Sequence, residues 1–393
     1  MTPTTLLWLV TGCMMLQPLA TDLYLASLPN LASDFATTPA AVQQTLSLFV
    51  FGFGTAQLVS GPLSDRYGRR PVLISGLAVY LLAGLACAMA PALDWLIAAR
   101  FVQAIGCCTA VVVARTIIRD VYSPAEGARI FAKASSLFAL APILGPILGG
   151  YLQVAFGWRA AFVALALAGL VTWLAALRSL KESNHQLNPD AMRIESLAGN
   201  YLDVVRTPAF WAYALPGAIS YASIFVFISG TPFVLIRVLG VATEYYGYLF
   251  AFGVVGYLGG TLICRRLLGK LDTARVLALG TSIGLVGALG FLALVLAGVN
   301  HWILVVAAQF VVMTGHGVNF PCTQSGSLAP FPQKAGAAAG LFGCLAMYAA
   351  LAAGTWVGSS HDGTLLPLAG ISATVSVILF AVTRLLARYG KVG

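Results

Sequence analysis

Asp22 is the one acidic side chain lying inside an apolar run long enough to cross a membrane. Arg100 is the matching lone base, in a second such run. A charged group at membrane depth is costly, so each reads as functional until shown otherwise. The chemistry open to such a carboxyl group is proton binding and release. Withdrawal from water favours its neutral form, and a nearby guanidinium favours its charged form. A movement that alters either balance would load or unload a proton, and an arriving solute would compete with it. Two plainer readings stand beside this one: a static ion pair that fixes helix packing, and a carboxylate wetted at the headgroup zone. Helical rise places Asp22 about 10 Å below Pro29 and Arg100 about 8 Å below Trp95, so the two are expected at one level, as a pair.

Other residues could support such a switch. Within 61–71 stand Gly61, Asp65, Arg66, Gly68, Arg69 and Arg70, one acid among three bases between two apolar runs. Asp65 is expected to pair with Arg115 or Arg119, or to cap a helix, and so to close a gate at that face. Ala141, Gly145 and Gly149 put small groups on one helix face, with Pro142, Pro146 and Gly150 beside them. Small residues allow close helix approach in lipid, and the prolines should bend this helix. Tyr24, Gln103, Tyr221, Phe225 and Asn319 are candidates to line a cavity for an amphiphilic molecule. His316 and Asn319 lie in a segment broken by glycine and proline.

Enzyme chemistry finds little here. The four histidines (185, 301, 316, 361) are scattered, and no phosphate-cradling or nucleophile motif follows a strand. The seven cysteines lie in or at the ends of apolar runs without a CxxC pair, so they read as packing residues. No metal and no cofactor is expected.

The elements that must hold these residues are membrane helices. The chain has 393 residues, of which 59% are hydrophobic and 9% charged, with a mean hydropathy of +0.89. Soluble domains carry roughly a quarter charged residues, so a soluble, disordered or disulfide-built protein is excluded. The stretches 71–93, 134–158, 160–177, 207–236, 245–264 and 363–383 contain no charge. The stretch 276–333 contains none either, and Gly298 with Asn300–Trp302 marks its turn. A crossing takes about 20 residues. The pattern predicts an all-α membrane protein of twelve transmembrane helices in two six-helix bundles: 1–180, a cytoplasmic linker at 181–206, and 207–393. The linker is expected to be loose or short-helical, a plain tether.

Net charge is +9. With the N-terminus taken as inside, nineteen of the 22 basic residues fall in inside loops. That bias sets both termini in the cytoplasm and explains the basic character without a nucleic-acid partner. The run 61–70 is echoed weakly at 260–270, where Gly260, Arg265 and Arg266 recur but Cys264 replaces the acid. Two parallel repeats with a site between them are a transporter architecture.

The run 61–71 resembles the loop signature of the major facilitator superfamily. Arg100 with Gln103 and Gly106 resembles its helix-4 motif, and 145–150 resembles the helix-5 motif of its drug/proton antiporters. Thr21, Asp22 and Tyr24, with Arg119, Asp120 and Tyr122, are similar to the Bcr/CflA branch of bacterial inner-membrane drug exporters. Two departures are Ala141 and Ala104, where the motifs usually carry glycine. The resemblance implies a monomeric antiporter that exports small amphiphilic drugs or toxic compounds by alternating access. Asp22 and Arg100 would couple protons, the 61–70 loop with Arg115 and Arg119 would gate, and the lipid bilayer, protons and a small molecule would be the partners. Export or proton-linked uptake of a metabolite, such as an amino acid or nucleoside, is the alternative.

Overall fold

The computed structural model describes residues 3–389. The first half contains α1 (Pro3–Asp22), a 3-10 turn (Leu25–Ser27), α2 (Leu28–Asp34), α3 (Pro39–Tyr67), α4 (Arg69–Ala88), α5 (Leu93–Val121), α6 (Pro124–Phe138), α7 (Ala141–Phe156) and α8 (Arg159–Ser179). A polar stretch carries α9 (Ile194–Val205). Then come α10 (Pro208–Pro232), with a π-helical extension (Phe233–Val238), α11 (Thr243–Leu268), α12 (Thr273–Leu296), α13 (Trp302–Leu328), α14 (Ala335–Ser360) and α15 (Leu366–Leu386). Eleven helical segments among the described residues are long and apolar enough to cross a membrane.

The fifth crossing departs from the expected single span at 134–158. It is two helices, α6 and α7, separated at residues 139 and 140. Pro142 has no N–H to donate to the Phe138 carbonyl, so the helical ladder stops there. The sixteen residues of α7 reach about 24 Å, short of the roughly 30 Å hydrocarbon core, and the end of α6 must supply the remainder. The first crossing also differs. Pro29 does not end it but starts α2, in the helical turn that tolerates a missing N–H. The break falls earlier, directly after Asp22. The expected turn at Gly298 forms, with Gly298 at φ +85° and His301 capping α13 through Nδ1, 3.2 Å from the Ile303 amide.

Packing repeats in the two halves. The pairs α3/α5, α4/α5, α4/α8 and α1/α5 recur as α11/α13, α12/α13, α12/α15 and α10/α13. Two seams join the halves, α3 against α14 and α7 against α11. Both depend on small residues. A Cβ on Gly247 would lie 2.4 Å from the Ile147 backbone, and one on Gly54 would lie 2.8 Å from Met347 Cβ.

Candidate functional site

Asp22 is the last residue of α1 and is 5% exposed. Its position follows from the local sequence. Pro18 weakens the last turn of α1, and after Asp22 the chain passes through Leu23 and Tyr24 before the 3-10 turn begins. The break is possible because α7 has no side chains in the way. A Cβ on Gly149 would stand 1.8 Å from the Leu23 carbonyl oxygen, and one on Gly145 would stand 3.5 Å from Asp22 Cβ. The helix-5 glycines are therefore the surface on which the Asp22 bend rests. Gly150 faces the other way, against Thr243 and Glu244 at the start of α11, and Pro146 lies against Gly247. Ala141 is buried at the start of α7. Opposite the bend, the Asp22 carboxylate acts electrostatically on Tyr221 of α10 and Tyr246 of α11, and Tyr221 is within hydrogen-bonding reach of Gln17. The acid thus stands at the seam of the two halves, away from the lipid rim.

Thr21 Oγ1 lies 2.8 Å from Asp22 Oδ1, 3.0 Å from the Pro18 carbonyl and 3.3 Å from the Gln17 carbonyl. A hydroxyl has one proton, so these bonds are alternatives. With Asp22 ionised, Thr21 donates to the carboxylate. With Asp22 protonated, the carboxyl O–H donates to Thr21, and the threonine proton turns to a backbone carbonyl. Both states are satisfied without moving a heavy atom.

The expected Asp22–Arg100 ion pair is absent among the described residues. Arg100 is fully buried, with its guanidinium carbon 4.1 Å from the Phe49 ring centre, 4.6 Å from that of Tyr24 and 5.7 Å from that of Phe162. Nη1 donates to Gln103 Oε1 at 2.7 Å, while Nε and Nη2 have no acceptor at hydrogen-bond geometry among the described residues. Cation–π contacts hold the charge instead. The depth arithmetic fails because the helix ends at Asp22, which sends Tyr24 and not the carboxylate toward Arg100. The Tyr24 hydroxyl is fixed 3.2 Å from Thr45 Oγ1.

The 61–70 loop forms a latch, with partners other than those expected. Arg69, 3% exposed, donates from Nη1 to Asp65 Oδ1 at 2.6 Å and to Ser64 Oγ at 2.7 Å, and from Nε to Asp120 Oδ2 at 2.7 Å. Arg115 and Arg119 pair with no acid among the described residues. The Gly68 turn between α3 and α4 sets Arg69 beside Asp65, four positions earlier, ahead of either expected arginine. The helix cap falls to Glu182, which accepts from the backbone N–H groups of Arg69 and Arg70 at 2.9 and 3.0 Å. Burial opposes the charge of Glu182, but the N–H groups of Asn184, Arg69, Arg70 and Ser183 outweigh it and hold the carboxyl below the usual glutamate range. Gly68 turns at φ +97°, where a Cβ would meet Glu182 Oε2 at 2.6 Å. Gly61 has open space beside it. Arg70 Nε reaches the Leu180 carbonyl at 2.9 Å, and Arg66 stacks on Tyr67.

The polar stretch after α8 is no plain tether. The Asn188 amide and Asn184 Nδ2 both donate to the Asp65 carbonyl, at 3.0 and 3.3 Å. On α9, the Tyr201 hydroxyl donates to the Leu58 carbonyl at 2.7 Å. Sequence reasoning missed Glu182, Asp120 and Tyr201 as partners. An acid directly after the sixth apolar run, followed by Ser183 and Asn184, is the signal in the sequence that points to Glu182.

The cavity candidates scatter. Tyr24 and Gln103 surround Arg100, as described. Tyr221 stands at the seam. Phe225, 1% exposed, is packed on α14, where a Cβ on Gly354 would meet its ring at 2.8 Å. Asn319 faces Gly280 on α12, and a Cβ there would lie 2.2 Å from Asn319 Oδ1. At the end away from the latch, Arg237 ties the halves by donating to the Pro29 carbonyl at 2.9 Å and to Ser33.

Comparison with known proteins places the family and the fold. The chain is 27% identical over 369 residues to the bicyclomycin resistance protein homolog of Haemophilus influenzae, covering 93% of this chain and 92% of that one. It is 29% identical to the chloramphenicol resistance protein of Pseudomonas aeruginosa, covering 84% and 78%. It is 26% identical to multidrug resistance protein MdtL of Shewanella oneidensis, covering 94% and 93%. In fold it matches the crystal structure of a bacterial homolog of the human lysosomal transporter Spinster in an inward-facing conformation, with a TM-score of 0.72, 15% identity, and 99% and 97% of the two chains covered. Residues 10–355 match the pattern of the Major Facilitator Superfamily, so this chain is a multi-pass membrane transporter and a member of that superfamily.

Proposed function

We propose that the chain is a proton-coupled antiporter of the bacterial inner membrane that expels small amphiphilic compounds of the kind named in its relatives' resistance functions. It works as a monomer, with 1–180 and 207–393 as rocking halves, 181–206 as their link and both termini cytoplasmic. The observation that carries the reading is Asp22: one carboxyl group, 5% exposed, at a helix break that rests on the α7 glycines and faces the other half. Rocking along the α7/α11 seam moves Tyr221 and Tyr246 relative to this carboxyl and changes its access to water. The Thr21 hydroxyl accommodates both protonation states. Arg100 keeps two buried donors unfilled, and such donors favour an acceptor arriving in another state. The basic bias of the inside loops supports the orientation, and the Arg69 latch supports gating at the cytoplasmic face.

Asp22→Asn tests the reading. In proteoliposomes with an imposed pH gradient, chloramphenicol efflux by the variant should fall to the protein-free rate, while unlabelled-for-labelled exchange persists. Undiminished gradient-driven efflux would remove Asp22 from the mechanism. Gradient-driven accumulation in place of expulsion would turn the reading to uptake.

A further inference from the structure

We propose that His316 is the second half's specificity-determining anchor for the exported molecule, and that its Nε2–H donates a hydrogen bond to an oxygen acceptor on an aromatic or other flat apolar compound. The inference rests on the export reading above and deepens it.

The sequence around His316 dictates where it points. Gly315 lies on the backbone of α12, where a Cβ would come within 2.8 Å of the Gly280 oxygen. Gly317 lies on α11, where a Cβ would come within 2.2 Å of the Tyr257 oxygen. With α13 wedged between two neighbours at these glycines, His316 is turned toward α10. There Ser220 Oγ lies 2.9 Å from His316 Nδ1. Asn319 Nδ2 lies 3.4 Å from the same Ser220 oxygen. An amide nitrogen only donates, so Asn319 occupies a lone pair of Ser220. Among the described residues the serine proton has no acceptor other than Nδ1, so the tautomer is assigned with Nδ1 accepting and the proton of the neutral ring on Nε2. Nε2 has no partner among the described residues.

Three rings surround this donor. The imidazole centre is 5.3 Å from that of Phe320, 5.7 Å from that of Tyr257 and 6.1 Å from that of Tyr221. Tyr221 in turn reaches Gln17 and feels the Asp22 charge across the seam. The histidine is therefore held by Ser220 and Asn319 among three rings, one of which, Tyr221, reaches the first half at Gln17. Rings offer stacking surface, and one placed donor fixes orientation. The class of ligand recognised is a planar apolar compound carrying an amide, nitro or sulfonyl oxygen.

The test uses two probes in inside-out vesicles under a pH gradient: chloramphenicol, which carries amide and nitro oxygens, and ethidium, a flat cation without an oxygen acceptor. His316→Phe should raise KM for chloramphenicol about tenfold, the worth of one lost hydrogen bond, and leave kcat within about twofold. Ethidium should change by less than about twofold, because stacking remains. His316→Gln, whose amide nitrogen falls where Nε2 was, should restore chloramphenicol KM to within about threefold, and His316→Asn, which reaches only the Nδ1 position, should not. Thermal unfolding of each variant in detergent checks that the fold is intact. Equal changes for both probes, or a glutamine variant as poor as phenylalanine, would overturn the anchor while the export reading stands. Wild-type vesicles that move neither probe would overturn the export reading, and the anchor with it.

Discussion

The turn between α3 and α4 and the turn between α11 and α12 share letters but not construction. Gly61 and Gly260 stand 199 positions apart, as do Arg66 and Arg265, and Asp65 and Cys264. In the first turn a buried arginine is bonded to two acids and a serine, and the linker closes over it through Glu182. In the second, Asp272 caps α12 at 2.7 Å from the Arg275 amide and pairs with the Arg275 side chain at 3.4 Å, both side chains well exposed. No buried ion pair exists there among the described residues, and the site equivalent to Asp65 holds a sulfur 3.7 Å from Cys322 Sγ. The glycines trade roles as well. Gly61 has room beside it, whereas a Cβ on Gly260 would lie 2.1 Å from the Thr314 oxygen of α13. A repeated sequence has kept the helix pairs in register and placed the polar latch on one half alone. Locking is therefore expected to be a first-half property.

Arg69→Ala attacks that asymmetry hardest. It strips Asp65, Ser64 and Asp120 of one shared donor. The acids left behind are 40% and 17% exposed and water can reach them, so the loss is about 1–2 kcal/mol, that of charge-assisted hydrogen bonds at a partly buried site. Thermal unfolding in detergent should register the loss. The state closed at the latch should also be depopulated. Cys344, buried beside the α3/α14 seam where Gly343 packs against Gln57, is a native reporter. Its modification by a small maleimide, read by mass spectrometry, should quicken about tenfold or more. Unchanged labelling with normal efflux would mean that the network does not lock the gate.

Glu182→Gln should act in the same direction and more weakly. The amide oxygen still accepts one N–H, while the negative charge at the start of α4 is lost, worth about 0.5–1 kcal/mol at a solvent-screened helix terminus. The pH dependence follows from the depressed carboxyl. Its stabilising contribution is complete above the ordinary glutamate value of 4.5 and is lost as pH falls through the lowered value in the folded protein. Maleimide attacks the thiolate, so Cys344 labelling is read as its ratio to the rate in the denatured protein at the same pH; at the wild-type latch that ratio should be flat from neutral pH down to that range and rise below it. In Glu182→Gln the rise should vanish. A wild-type rise near neutrality would place the titrating group elsewhere.

How much of this was legible beforehand depends on the range of the interaction. The helices declare themselves through uncharged runs, because lipid forbids scattered charge. Asp22, Arg100 and the α7 glycines stood out because their residue types are expensive or rare in such runs. Partners were not legible. Asp65 was expected to seek Arg115 or Arg119, but the Gly68 turn between α3 and α4 brought Arg69 closer, and the cap came from Glu182, more than a hundred residues away. Asp22 and Arg100 stood out as lone charges, yet the break after Asp22 turned the carboxyl away and left Arg100 to aromatic rings that carry no charge pattern. Asn319 looked like a cavity group because it is polar, but the glycine opposite it, Gly280, drew it to the back of the bundle. The position on α13 turned toward α10 by the glycines on either side is His316, whose ring neighbours Tyr221.

The smallest effect is expected at the second turn. Cys264→Ser replaces the thiol where the first half has its gating acid. A serine inside a helix can give its proton to the carbonyl four residues earlier. This chain does so repeatedly, with Ser60 reaching the Ala56 carbonyl at 2.8 Å and Thr383 the Leu379 carbonyl at 2.8 Å. For Cys264 that acceptor would be the Gly260 carbonyl, so the new hydroxyl need not stay unsatisfied, and the loss is confined to one sulfur contact of about 0.5 kcal/mol. Efflux and Cys344 labelling should both stay within about 1.5-fold of wild type, the change that such an energy allows if it falls only partly on the gate. A variant that folds normally yet fails to transport would mean that the second turn takes part in locking after all. The two halves would then be alike in role as well as in helix order, and the missing ion network would have to be replaced by the Cys264–Cys322 contact.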